Sequence, residues 1–434
     1  MKKIYIGILL TVLAGIVLHA PLSVAFSTVA PEYELLIKSW KEILLGIATL
    51  LLPIVLTMHK RWNILKEPVL LCILAFAVLN VALIPLYFTG YDSTLAGILI
   101  NLRYLLFFVL VYVGLRLFPQ YTKLFIKVFI AGAFVVLLFA ILQLTVLPND
   151  FLKYLGYNET TIMPYLTVDQ NINYIRINST LRGPNPLGAY AMVVLSVVLA
   201  YWLQRSRNVR KREQMLLSVL AIGSVLALWA SYSRSAVVGM IIAAGVILLV
   251  AYGRKISKGL LMVLVAVALI GSVSLITFRD TDFVSNVILH EDPNEGNDIN
   301  SNDGHVDSLI DGTTRVLAQP FGGGIGSTGS ASLLGDTPLI IENQYLFIAH
   351  ESGWLGLGLF VAITVLILGM LWRGRKDWFV LGVFASGVAL SLIGLIQPVW
   401  VDETVSIVWW GLAATALVRT RGSAILLPDN DNKK

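Results

Sequence analysis

The chain has 434 residues, 57% of them hydrophobic and only 13% charged, with a mean hydropathy of +0.80. So few charges exclude a soluble globule of this size, and apolar runs of about 18 residues or more have the length that crosses a bilayer. The single cysteine, Cys72, excludes a disulfide framework, and the net charge of +6 is spread over loops rather than gathered into a patch for nucleic acid.

In chain order, the apolar runs predict about twelve spans, near residues 4–26, 42–58, 68–88, 95–115, 124–147, 187–204, 215–231, 236–252, 259–277, 345–372, 378–400 and 405–418. The reading is an all-α polytopic membrane protein with one integral membrane domain over residues 1–434. Met1, Lys2 and Lys3 before an apolar core also fit a signal peptide with small residues near Ala25, but the long core and the even span count favour a retained span. Threading the spans alternately puts 23 of the 32 Lys and Arg on one side and leaves 21 of the 26 acidic residues elsewhere. Positive charge stays in the cytoplasm, so both termini are expected there. Most connections are short. The exceptions are residues 148–186 and one large extracytoplasmic loop, residues 278–344.

Nine basic residues break the charge pattern: Lys38, Lys41, Arg103, Lys153, Arg176, Arg182, Arg234, Arg279 and Arg315. Arginine is a planar fork of donors that binds phosphate bidentately and keeps its charge, so several converging outside would hold a diphosphate or an acidic sugar. Ordinary ion pairs with the acidic residues are the alternative. Arg103, two residues after Asn101, lies inside an apolar run, where a charge is by default functional unless it snorkels from the helix end. Arg176, Arg182 and Asn185 stand in the segment Arg-Ile-Asn-Ser-Thr-Leu-Arg-Gly-Pro-Asn-Pro. Its prolines forbid a helix through the turn, so the backbone is expected to re-enter the bundle. Arg234 occupies a tight turn flanked by Ser233 and Ser235.

In the large loop, Arg315 precedes Gly322, Gly323, Gly324 and Gly326, whose amides could approach a ligand closely. Glu342 and Asn343 stand at the start of the tenth span, with His350 and Glu351 about two turns further in. A carboxylate at the interface serves either as a general base or as a partner of the helix N-terminus. The acidic stretch 291–311 reads as a solvated loop. It is not a calcium loop, since Gly304 falls one position late and Leu309 takes the place of the bidentate glutamate. No metal or cofactor is expected.

Taken as a set, Arg-Gly-Pro-Asn-Pro before a span, Ser-Arg-Ser in a tight turn, the run from Arg315 to Gly326, and Glu342-Asn343-Gln344-Tyr345-Leu346 before Glu351-Ser352-Gly353 resemble the O-antigen ligase and polysaccharide polymerase superfamily. The resemblance covers about residues 95–372. It implies a bacterial inner-membrane glycosyltransferase that moves a glycan from an undecaprenyl-diphosphate carrier to a glycan or lipid acceptor, without nucleotide sugar or required metal. It also implies that Arg315, with Arg176, Arg182 and Arg234, holds the diphosphate. Ligases for lipid A-core usually carry histidine where this chain has Glu342, which favours a polymerase or a ligase for another acceptor. The competing class is a transporter or flippase of lipid-linked sugars. Unequal loops and the lack of evident halves speak against it.

Overall fold

A computed structural model describes residues 1–168, 171–205, 211–253 and 301–425, with Thr277, Thr281 and Val284. The chain is helical: α1 (Lys2–Gly15), α2 (His19–Val29), α3 (Glu34–Lys38), α4 (Trp40–His59), α5 (Pro68–Leu83), α6 (Tyr91–Leu117), α7 (Thr122–Thr145), α8 (Pro184–Arg205), α9 (Lys211–Ala230), α10 (Arg234–Tyr252), α11 (Ser301–Ala318), α12 (Gln344–Arg373), α13 (Trp378–Ile393) and α14 (Glu403–Ile425). Among the described residues, eight helical segments are long and apolar enough to cross a membrane, and α5 and α13 are shorter apolar helices. This is the all-α polytopic architecture that the composition predicts. The ninth predicted span, 259–277, lies outside the described residues apart from Thr277.

In lipid no hydrophobic force drives one helix onto another, so close packing must hold the bundle. Side chains of α6 and α14 interlock through a fully buried aromatic knot. Tyr104 lies 5.2 Å and Phe108 5.8 Å from Trp410, ring centre to ring centre, and Trp409 lies 5.1 Å from Trp400. The α8–α13 crossing is closer still: a Cβ on Gly382 would come within 2.6 Å of Val197 Cα. Around this centre, α5 packs on α12 and α8 on α9, α10 and α13. Leu50, Leu74, Val78, Trp229, Ile241 and Leu249 stay exposed on outer faces, as a lipid-facing surface requires.

The segments at one end of the bundle carry the candidate residues. Residues 146–183 contain one antiparallel hairpin, β1 (Leu166–Val168) with β2 (Asn171–Arg176), which the sequence did not announce. Beyond it Ile177 to Leu181 sink into the bundle. The prolines do not keep the segment out of a helix: α8 begins at Pro184 and takes in Asn185 and Pro186, since proline is tolerated in a helix's first turn. Ser179 sinks between helices, its amide donating to Gln143 Oε1 at 2.7 Å and its hydroxyl to Val136 O at 2.6 Å, both on α7. The acidic stretch departs from expectation. From Ser301 it forms α11, an amphipathic helix docked on α12, rather than a solvated loop. Its first part, 291–300, lies outside the described residues.

Candidate functional site

Helix α12 breaks at Gly353, whose φ of +67° and ψ of −173° lie outside helical geometry. The break strips the carbonyls of His350 and Glu351 of their ordinary amide donors. The glycine run supplies replacements: Gly323 N donates to His350 O at 2.6 Å and Gly324 N to Glu351 O at 3.0 Å, while Trp354 N donates to Pro320 O at 3.0 Å. Glu351 completes the lock with its side chain. It is 1% exposed and accepts from Gly326 N at 2.9 Å and from Asn101 Nδ2 of α6. The amides of Gly323, Gly324 and Gly326 thus bond to α12 itself, and the run is held as a rigid ledge between α6 and α12.

Asn343 caps α12, its Oδ1 accepting from Tyr345 N at 2.9 Å and Leu346 N at 3.0 Å, which satisfies two orphan helix donors. Its Nδ2 donates to Leu395 O at 2.7 Å, in a strap formed by residues 394–402. The strap gathers the neighbouring elements. Trp400 N donates to Gln344 Oε1 at 2.9 Å, Gln397 Nε2 to Ser235 Oγ at 3.2 Å, and Arg103 Nη2 to Val401 O at 2.9 Å.

Below the strap lies a buried charge cluster. Glu403 Oε2 is 2.9 Å from Lys41 Nζ and 3.4 Å from Arg103 Nη1, and its Oε1 is 2.9 Å from His19 Nε2. Glu42 adds a second carboxylate, 3.2 Å from Lys41 and 3.6 Å from Arg103. Trp40 Nε1 can only donate and lies 2.9 Å from His19 Nδ1, so Nδ1 accepts and Nε2 carries the proton toward Glu403. Arg103 is therefore an interior partner of Glu42 and Glu403, not a snorkelling side chain.

Asp402 ends the strap. Burial pushes its carboxyl from 3.8 up to about 6, against the Val405 amide that Oδ1 accepts at 2.8 Å and the nearby Arg103 and Arg182. An unfolded aspartic acid loses its proton near 3.8 while the folded one keeps it toward 6. Stability is therefore expected to fall as pH rises from about 4 to 6 and to level above that. Thermal midpoints measured across this window for wild type and Asp402→Asn check this: the variant should lose part of the slope, and an unchanged slope would exclude Asp402 as its source.

The predicted arginines fall into separate groups. Arg176 Nε donates to Ser231 O at 2.9 Å and its Nη2 to Asn185 Oδ1, which fastens β2 to the start of α8 and to the turn bearing Arg234. Arg182 is exposed and shares a 260 Å³ cavity with His19, Lys41 and Glu403. Arg315 pairs with Asp311 one turn earlier, at 2.7 Å, and lines a different cavity of 490 Å³ with Gln319, Gly323, Ser327 and His350. Glu342 is half-buried, its amide donating to Ser308 Oγ of α11 at 3.1 Å. No cluster of three or more His, Cys, Asp or Glu able to hold a metal occurs among the described residues.

Residues 216–361, about a third of the chain, match the family model described as O-antigen ligase. Over that stretch the chain is similar to the O-antigen ligases. The match supports, in general terms, a part in membrane glycan ligation or polymerisation, with a lipid-linked glycan and an acceptor as the kind of partner. No curated protein matches the chain. The matched region contains Arg234, Arg315, the glycine ledge, Glu342, Asn343 and Glu351. It leaves Arg103, Arg176, Arg182 and Asn185 outside. Sequence reasoning gave no role to His19, Lys41, Glu42, His350 and Glu403. Their signal was available, since ionisable residues within or beside apolar runs are by default candidates.

Proposed function

We propose that the chain is a metal-independent glycosyltransferase of the bacterial cytoplasmic membrane, with both termini in the cytoplasm. It polymerises or ligates an undecaprenyl-diphosphate-linked glycan on the extracytoplasmic face, in the synthesis of a surface polysaccharide. The observation that carries this reading is the bridge made by α11 within the matched region. Ser308 of α11 accepts the amide of Glu342, and a Cβ on Gly312 would touch Ile341 and Leu346 at 3.3 Å. Arg315 follows seven residues after Ser308, about 10 Å along the helix, so one element sets the spacing between an anion-binding guanidinium and a carboxylate.

In this reading Glu342 takes the proton of the acceptor hydroxyl as its oxygen attacks the anomeric carbon of the donor sugar. The bond from that carbon to the diphosphate oxygen breaks, and the electron pair leaves on the diphosphate. Arg315 stabilises the departing charge, and the anomeric configuration inverts. Arg176 and Arg182, which the resemblance would also place on the diphosphate, stand apart from the Arg315 cavity and take no part in this step. Asn185, Asn343, Glu351 and the ledge glycines Gly324 and Gly326 shape the binding surface. Arg103 supports it from beneath through Val401.

The test is complementation of a deletion strain, read as glycan chain length and acceptor-linked glycan. Glu342→Gln and Arg315→Ala are each expected to lower transfer by about 100-fold or more at wild-type protein levels. Unchanged chain length and transfer in both would sink the reading. Movement of lipid-linked sugar across vesicles without new glycosidic bonds would assign a flippase instead.

A further inference from the structure

Gly323 opens a gap in the wall of the 490 Å³ cavity between the glycine ledge and α12. The place a Cβ on Gly323 would occupy is ringed by polar atoms: Gln319 Oε1, His350 Nε2 and Ser327 Oγ each lie 3.4 Å from it. His350 is only 4% exposed, and its Nδ1 is buried without a hydrogen-bond partner; Ser327 Oγ is likewise buried and unpartnered. Buried polar atoms are nearly always hydrogen-bonded, and leaving one unmade costs about 1–3 kcal/mol. Of the two, Ser327 Oγ stands at the gap itself, beside His350 Nε2 and Gln319 Oε1, and is hydrogen-bonding capacity that the protein does not fill. Phe88, 53% exposed, and Arg315 complete the lining.

We propose that this cavity is a glycan subsite that seats one pyranose unit, an inference that rests on the transferase reading above. Its size lies within the range of about 300–1,000 Å³ typical of small-molecule sites. A pyranose presents hydroxyls that both donate and accept, and each group around the gap matches that character. The Ser327 hydroxyl and the Gln319 amide do both, and a neutral His350 offers one donor and one acceptor nitrogen. The ring's C–H face has Phe88 to rest on. Glycine at 323 is what leaves the space open, and the cavity lies beside Arg315, so a sugar seated here would be adjacent to the proposed diphosphate contact.

Gly323→Ala sets a methyl group among the three polar atoms, between them and a seated sugar. The φ of Gly323 lies outside the left-handed region and the nearest atoms are at ordinary contact distance, so the fold tolerates alanine. The probe is the oligosaccharide freed by mild acid from the lipid-linked glycan that a deletion strain accumulates, titrated against the full-length protein in nanodiscs, with inorganic pyrophosphate as control. Gly323→Ala and His350→Ala should each weaken oligosaccharide binding by about tenfold or more. Pyrophosphate affinity and thermal midpoint should stay at wild-type values for Gly323→Ala, and its transfer defect should lie in KM rather than kcat. Equal oligosaccharide Kd for wild type and Gly323→Ala, or no saturable binding to wild type, overturns the subsite. If both variants transfer glycan with wild-type KM, the subsite falls and the transferase stands. Gly323-dependent binding by a wild-type protein that forms no glycosidic bond leaves the subsite and removes the transferase.

Discussion

Glu403→Ala is expected to lower the unfolding midpoint of the purified protein by on the order of 10 °C, a loss of about 3–5 kcal/mol. Glu403 is the centre of the buried cluster, within 3.4 Å of His19, Lys41 and Arg103. Lys41 is 3% and Arg103 8% exposed, so neither can recover hydration when the carboxylate goes. With Glu42 alone remaining, two buried cations share one anion, and the surplus charge has only the small cavity beside Lys41 from which to draw water. The penalty comes from the orphaned charge, not from the worth of the original pairs, which desolvation largely offsets. Lys41→Met added to Glu403→Ala should therefore recover much of the loss, since it removes the surplus cation together with its partner. Differential scanning fluorimetry in detergent reads both variants. A Glu403→Ala protein that melts with wild type, or a double variant no better than the single one, would show that the cluster is already hydrated.

The span pattern was legible because it is local. A run of apolar residues bounded by charges reports its own depth, so α4 to α10 and α12 to α14 start where the hydropathy puts them. But α5 ends at Leu83 and α13 at Ile393, short of the predicted 88 and 400, and residues 394–400 form the strap instead. Helix α11 was not legible in this way. Its apolar positions, Leu309, Ile310, Val316 and Leu317 among them, are sparse within an acidic segment, and it is the docking of Gly312 against Ile341 and Leu346 that holds it. The glycine run was found, but its amides read as ligand contacts because the acceptors they meet are created by a kink at Gly353, some thirty residues later. Glu403 and His19 lie 384 positions apart, and no spacing rule links them. Sequence identified the anomalous charges; which of them meet is decided by helix packing.

The same logic makes Glu351 the most informative single position in the matched region. Glu351→Ala leaves Gly326 N and Asn101 Nδ2 without an acceptor in a site closed to water, at about 1–3 kcal/mol for each donor. It also frees the ledge, so residues 319–343 should become sensitive to limited proteolysis and transfer should fall with the midpoint. Glu351→Gln alone keeps an acceptor for Gly326 but turns an amide group toward Asn101, donor against donor. Asn101→Asp alone sets carboxylate against carboxylate. Combined, the two changes restore the pattern in reverse: the amide introduced at position 351 accepts from Gly326 N and donates to the carboxylate introduced at position 101. The double variant is expected to recover the protease resistance and midpoint that each single one loses. If Glu351 acts only by holding the ledge, transfer recovers with them. Recovery of the fold without transfer would instead mean that the carboxylate at 351 itself meets the substrate, and a double variant as unstable as the singles would refute the lock.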